Sequence, residues 1–228
     1  MTSIRSADEL LDVDAPAWQG LRARLSKAAV EVRVLPADDT ARRKVLYRLQ
    51  VTAASTLGAI ASNCGTLLLD HGWVRILGAG SEGIRDLATV NALGDPEHRA
   101  APPGHIVVGY DVLGGVFAIN HHDLPAQAGE VCYWGPDTLE WTPLGVGHTA
   151  FIEWLLNSGA ADFYQEFRWP GWEAEVSALS IGEGISVYPF LFTAEGRNIA
   201  TATRKAVPFQ ELLNLNEHLA QSLIAGSE

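Results

Sequence analysis

The chain has 228 residues, 47% of them hydrophobic and 19% charged, and a formal net charge of -11. That composition excludes a disordered or fibrous chain, and the length is enough for a core that needs no disulfide staple. The charge is uneven: residues 1–100 carry 12 Lys+Arg against 12 Asp+Glu and residues 101–228 carry 4 against 15, so nucleic acid is excluded as a partner of the acidic part.

The N-terminal third reads as helices around one short strand. Ser6-Ala-Asp-Glu9 has capping-box form and opens a short helix carrying Leu10 and Leu11. Asp14-Ala-Pro-Ala-Trp18 predicts a second start, with Asp14 as cap and Pro16 in the first turn; Trp18, Leu21 and Leu25 recur at helical spacing. Val30–Leu35 alternates as a strand, and Pro36–Thr40 opens a third helix with Val45, Leu46 and Leu49 on its apolar side. Its basic cluster Arg42-Arg43-Lys44 is a solvated helix face balanced by Asp38 and Asp39. The stretch 53–63 fits a strand or a helical turn equally.

The centre is rich in strands. Residues 65–70 and Trp73–Leu77 form a hairpin around His71-Gly72. Gly78, Gly80 and Gly83 fall in the G-x-G-x-x-G register. They follow an antiparallel hairpin, outside the βαβ context that a dinucleotide site needs, so a structural loop before a short helix near 85–92 is the expectation. Residues 94–104, with three prolines, form an exposed loop that could divide two subdomains, but both sides look dependent on one sheet. Residues 104–120 read as two strands joined by a turn at Asp111 to Gly115. Gly129–Trp134 and Asp137–Trp141 add two short strands, with Val131 and Tyr133 facing one way and Cys132 and Trp134 the other. Trp141 is expected to anchor the sheet to the next helix.

A helix capped by Thr149 follows, striped with Phe151, Ile152, Leu155 and Leu156. The aromatic stretch 163–172 predicts a short helix, a turn at Pro170-Gly171, and a helix through Val176 and Leu179. Ile185–Phe192 is a late strand in which Pro189 demands an edge or a bulge. Pro208 opens the last helix, with Leu212, Leu213, Leu215 and Leu219. The fold class is α+β: one domain over residues 1–228, with a central, mostly antiparallel sheet flanked by helices and the N-terminal helices packing on it.

Four segments together resemble an uncharacterised bacterial family, domain of unknown function 2625 (DUF2625). They are Asp70-His-Gly-Trp-Val-Arg-Ile-Leu-Gly, Gly109-Tyr-Asp-Val-Leu-Gly-Gly-Val-Phe-Ala-Ile-Asn, Pro136-Asp-Thr-Leu-Glu-Trp and Arg168-Trp-Pro-Gly-Trp. The resemblance spans nearly the whole chain and implies no known activity, substrate or cofactor. More loosely, residues 111–154 are similar to the SUKH superfamily. The shared pattern is a strand, a Gly-Gly turn, a strand ending near Asn120, a Gly-x-Val-x-Tyr strand and a Phe-rich helix. That likeness implies a sheet flanked by helices and a protein-binding face of the kind bacterial immunity proteins use.

Candidate chemistry is sparse. His121-His122-Asp123 is the best local metal candidate, but adjacent strand residues point to opposite faces, so no metal site is assigned and no cofactor is expected. Asp70-His71 sits at a hairpin turn and serves the backbone. There is no nucleophile elbow, no H-E-x-x-H and no P-loop lysine, so no catalytic residue is assigned. Arg75, within an apolar strand and at the parity of Trp73, needs a carboxylate; Asp111 or Glu140 would supply a structural ion pair. Tyr110, Asp111, Trp134, Trp169 and Trp172 form the candidate ligand site, and a pocket is expected between Tyr110 and the three tryptophans. Cys64 and Cys132 lack partners at metal-ligand spacing. No secretory signal opens the chain, and its apolar runs are too short for a bilayer. A cytoplasmic binding module follows, its partner a ligand or a basic protein. Two alternatives stand beside it: a hydrolase using Asp111 with His71 or His122, and a structural homodimer.

Overall fold

Local signals fix the first helices of the computed structural model, which describes residues 3–99, 101–157 and 159–225. Helix α1 (Ala7–Leu11) carries a closed capping box: Ser6 accepts from the Glu9 N–H at 3.3 Å, and Glu9 accepts from the Ser6 N–H at 2.7 Å. Helix α2 (Trp18–Leu25) buries Leu21 and Leu25 but has no side-chain cap. Asp14 stays outside it. The Ala17 N–H donates instead to the carbonyl of Ala53 at 2.9 Å, so a tertiary contact fixes the start. Asp38 caps α3 (Asp39–Leu49). The ambiguous stretch 53–63 becomes α4 (Thr56–Asn63), with Ser55 accepting from the Gly58 N–H at 2.9 Å.

Seven strands then form one antiparallel meander in chain order. They are β1 (Val32–Leu35), β2 (Thr66–Leu69), β3 (Val74–Leu77), β4 (His105–Asp111), β5 (Val116–Asn120), β6 (Glu130–Trp134) and β7 (Trp141–Gly147). The β2–β3 turn places Asp70, His71 and Gly72 at positive φ (52°, 61° and 88°); Asp and Gly tolerate that geometry best. Residues 137–139 lie in a turn, so the expected strand there begins only at Trp141. Between β3 and β4 come α5 (Leu87–Val90), capped by Asp86, and a 3-10 turn at Pro96–His98. The linker-like stretch 94–104 contains residue 100, which lies outside the described residues. Its Tyr47–Asp95 and Arg99–Arg48 hydrogen bonds tie it to α3.

Pairing register assigns the two faces. Residues directly opposite each other share a face. Arg75, Tyr110, Val116, Trp134 and Trp141 are successive cross-strand partners and make one transverse row. Gly109, Phe117, Tyr133 and Thr142 make the neighbouring row on the other face, where Val74 lies opposite Asp111. Helix α6 (His148–Leu156) covers that second face: Phe151 packs at a tilt against Phe117 with ring centroids 4.8 Å apart, and Phe151, Ile152, Leu155 and Leu156 are all buried. Gly147 stands at the N-cap of α6. Thr149 does not cap it; its hydroxyl pairs with that of Thr56 at 2.8 Å.

Next come α7 (Gly159–Phe163), a 3-10 turn at Gln165–Phe167 and α8 (Trp172–Ser177). A second, two-stranded sheet pairs β8 (Glu183–Tyr188) with β9 (Thr203–Pro208), which sequence periodicity does not reveal. Pro189 falls just past the end of β8, where no ladder bond needs its missing N–H. Main-chain contact joins this sheet to the large one: the Ile185 N–H donates to the Val112 carbonyl at 2.8 Å. Helix α9 (Phe209–Ala225) crosses the Arg75–Trp141 face, with Phe209 edge-on to Tyr110 at 5.2 Å. The result is α+β.

Candidate functional site

Asp111 ends β4 at a turn and is fully buried. Its Oδ1 accepts from the main-chain N–H groups of Leu113 and Gly115, both at 2.9 Å. Its Oδ2 accepts from the hydroxyls of Tyr133 at 2.7 Å and Tyr164 at 2.9 Å. Burial raises the carboxyl above its usual range, and the four donors pull it back. Gly115 is required there, since a Cβ would fall onto Asp111 Oδ2 and the Tyr133 hydroxyl. Gly114, at φ +87°, supplies the left-handed step of the turn. Asp111 thus holds a turn and two core tyrosines together. Neither His71 nor His122 is among its partners. His71 faces Glu31 at 3.0 Å, and His122 is exposed.

The expected Arg75–Asp111 ion pair does not form. Pairing puts Arg75 opposite Tyr110 and Asp111 opposite Val74, so the two side chains leave opposite faces of the sheet. Arg75 is 3% exposed. Its Nη1 donates to the Ile181 carbonyl at 2.8 Å, and its guanidinium lies 5.3 Å from the centre of the Phe209 ring. Glu140 does not pair with it either; among the described residues no carboxylate lies within 4.0 Å. Burial pulls the guanidinium down to about 10, with Asp111 and Glu183 opposing at longer range, so it stays charged at neutral pH.

The expected grouping of Tyr110 with three tryptophans also splits. Trp169 and Trp172 pack on Trp73 with ring centroids 5.7 and 5.1 Å away, beside the β2–β3 turn. Trp73 precedes the strand, so its parity does not extend to Arg75, and its ring joins this plug. Arg168 lies 4.2 Å over Trp172, 5.3 Å from Trp73, and pairs with Asp70. Trp169 donates to Glu175 at 2.7 Å and carries Arg204 at 4.5 Å. At 2% and 9% exposure, Trp169 and Trp172 are core.

Tyr110 and Trp134 do come together, as two members of the transverse row beneath α9. Two adjoining cavities flank the start of that helix. One, about 460 Å³, is lined by Arg75, Tyr110, Ile84, Val90, Phe209 and Leu213, among others. The other, about 410 Å³, is lined by Tyr110, Val116, Trp134, Trp141, Leu213 and Glu217, among others. Arg85 and Gln210 border both and are hydrogen-bonded to each other, forming a strap between them. Burial pushes the Tyr110 phenol up to about 12, with the Arg85 charge opposing. Its hydroxyl therefore remains a donor, and no described residue accepts from it.

Sequence reading misses Arg85, Phe209, Gln210 and Leu213, which reach the cleft through the return of α9; only the 210, 213, 214, 217 and 221 spacing on one helix face hints at it. Trp141 lies across from Trp134 in the sheet and lines this cleft. Gly83, at φ +82°, closely approaches the Gly182 backbone, and Asp86 already caps α5, so the glycine loop packs against the β8 segment. His121 and His122 touch ring to ring at 4.9 Å, while Asp123 pairs with His105 at 3.1 Å. Among the described residues no three metal-binding side chains converge, and no helix is long and apolar enough to cross a membrane.

A family model described as a protein of unknown function, DUF2625, matches residues 7–212. The uncharacterized protein YbfG of Escherichia coli (strain K12) is 33% identical over 223 residues, covering 96% of this chain and 99% of that one. An uncharacterized protein of Haemophilus influenzae is 29% identical over 188 residues, covering 82% of this chain and 81% of that one. No solved structure matches the chain. These findings carry nothing for the SUKH likeness. The extent of the family match, with a relative of that identity along nearly its full length, places the chain in the DUF2625 family.

Proposed function

We propose that the chain is a non-enzymatic binding module whose ligand lies in the cleft between the sheet and α9. The observation that carries this reading is the transverse row Arg75–Tyr110–Val116–Trp134–Trp141, five cross-strand neighbours that line two adjoining cavities beside α9, with Tyr110 shared by both. Flat aromatic surface beside a few convergent polar groups is the usual make-up of a recognition pocket, and the volumes fall in the usual range of several hundred Å³. A hydrolase built on Asp111 would need that acid in reach of water and of an imidazole. Its enclosure by four donors supports binding over that alternative. The immunity-protein version rests on the SUKH likeness, to which the cleft adds nothing.

Screening a library of small fragments against the ¹⁵N-labelled protein tests the reading. Bound fragments are expected to shift the amides of Gly114, Val116 and Leu213 and the indoles of Trp134 and Trp141 as one group. Shifts gathered around Trp73, or scattered with no common site, would remove the cleft as the seat of function.

A further inference from the structure

We infer that the chamber beside Arg75 binds a monocarboxylate with an apolar or aromatic tail. The inference rests on the cleft being the binding seat, and it names the chemistry of the ligand there.

Arg75 is a buried cation, 3% exposed, with no carboxylate within ion-pair distance among the described residues. Buried charges are normally paired, because removing a charge from water without compensation is costly. Two carbonyl oxygens, of Ile181 at 2.8 Å and of Gly72 at 3.5 Å, and one aromatic ring partly compensate it. The guanidinium also borders a cavity of about 460 Å³. Arg85 stands at the edge of the same cavity, and the free Tyr110 hydroxyl lies beside it. Two guanidiniums and a phenol give the cavity an electropositive wall with no acidic side chain on it, inside a protein whose net charge is -11.

An anion is the complement of that wall. A planar guanidinium grips a carboxylate through paired donors. The remaining wall, Ile84, Val90, Phe209 and Leu213, is apolar and would cover a hydrocarbon or aryl group. Nucleic acid is disfavoured by the net charge of -11. Inorganic phosphate would leave the apolar wall unfilled.

Calorimetric titration with 3-phenylpropionate, its neutral amide, and inorganic phosphate tests the assignment. The acid is expected to bind at least tenfold more tightly than the amide and more tightly than phosphate. Arg75→Gln should abolish the acid's advantage over the amide, and Arg75→Lys should restore part of it. Circular dichroism checks that the variants fold. If Arg75→Gln does not fold, Arg85→Gln, at the exposed edge, decides: a severalfold loss for the acid alone supports the inference, and no loss overturns it. Equal affinity for acid and amide overturns the carboxylate assignment but leaves the cleft as a binding seat. Tighter binding of phosphate overturns it too, as does the absence of acid binding.

Discussion

Replacing Asp111 by asparagine probes the contact on which the centre of the sheet depends. The carboxylate faces four donors and no acceptor: two main-chain N–H groups and two tyrosine hydroxyls, all within 2.9 Å. The N–H groups cannot turn round, so the asparagine carbonyl must take their side and its NH₂ must face the phenols. Both phenols then lose a charged acceptor and have to swing their hydrogens away inside a sealed core. Hydrogen bonds to charged groups contribute about 1.5–3 kcal/mol each, so a loss of about 2–5 kcal/mol is expected after the new, neutral bonds are counted. Alanine would orphan all four donors at about 1–3 kcal/mol each, comparable with the whole stability of a domain, so Asp111→Ala should not fold. Urea unfolding followed by far-UV circular dichroism measures the asparagine variant. Tyr133→Phe and Tyr164→Phe should each destabilise by about 1.5–3 kcal/mol, and by clearly less in the asparagine background, because the three groups share one network. An unchanged urea midpoint in Asp111→Asn, or strict additivity with the tyrosine variants, would refute the reasoning.

Two further outcomes are expected. His148 is buried with neither ring nitrogen hydrogen-bonded, and burial pulls its imidazole down to about 4 from an ordinary 6.5. The unfolded chain therefore takes up the proton first: the contribution is intact above pH 6.5 and drains away as pH falls toward 4, by on the order of 3 kcal/mol in total. His148→Phe should flatten that acid limb in unfolding measured from pH 7 to 4, and a limb identical to the parent's would contradict the assignment. Arg168→Lys keeps the charge beside Asp70 but loses the guanidinium contacts with the Trp172 and Trp73 rings. It should destabilise by about 1–2 kcal/mol in thermal unfolding followed by tryptophan fluorescence, and an unchanged midpoint would show that these ring contacts contribute nothing.

Much of the fold is legible because its signals are local. The Ser6–Glu9 box, the Asp38 cap, the β2–β3 turn and the glycine-closed bend after Asp111 each lie within a few residues of what they control. Where a distant group sets the boundary, the reading slips. The start of α2 is held by Ala53 rather than by Asp14, and Thr149 is drawn away from capping by Thr56. β9, with exposed Lys205, half-buried Arg204 and no clean alternation, is a strand because β8 is there to pair with it.

The sequence by itself determined an acidic α+β chain with hairpin strands, since period-two alternation fixes which side chains share a face once strands are known; its grouping of Tyr110 and Trp134 with Trp169 and Trp172 held for the first two residues alone. Tertiary structure alone decided what those residues do. Pairing register sent Arg75 and Asp111 to opposite faces, sealed the acid among tyrosines and left the arginine without a carboxylate partner among the described residues. The return of α9 then roofed the transverse row and brought Phe209, Gln210 and Leu213 to it from distant positions in the chain. No local spacing encodes that arrival, because it follows from which apolar faces are left to be buried together once the sheet has formed.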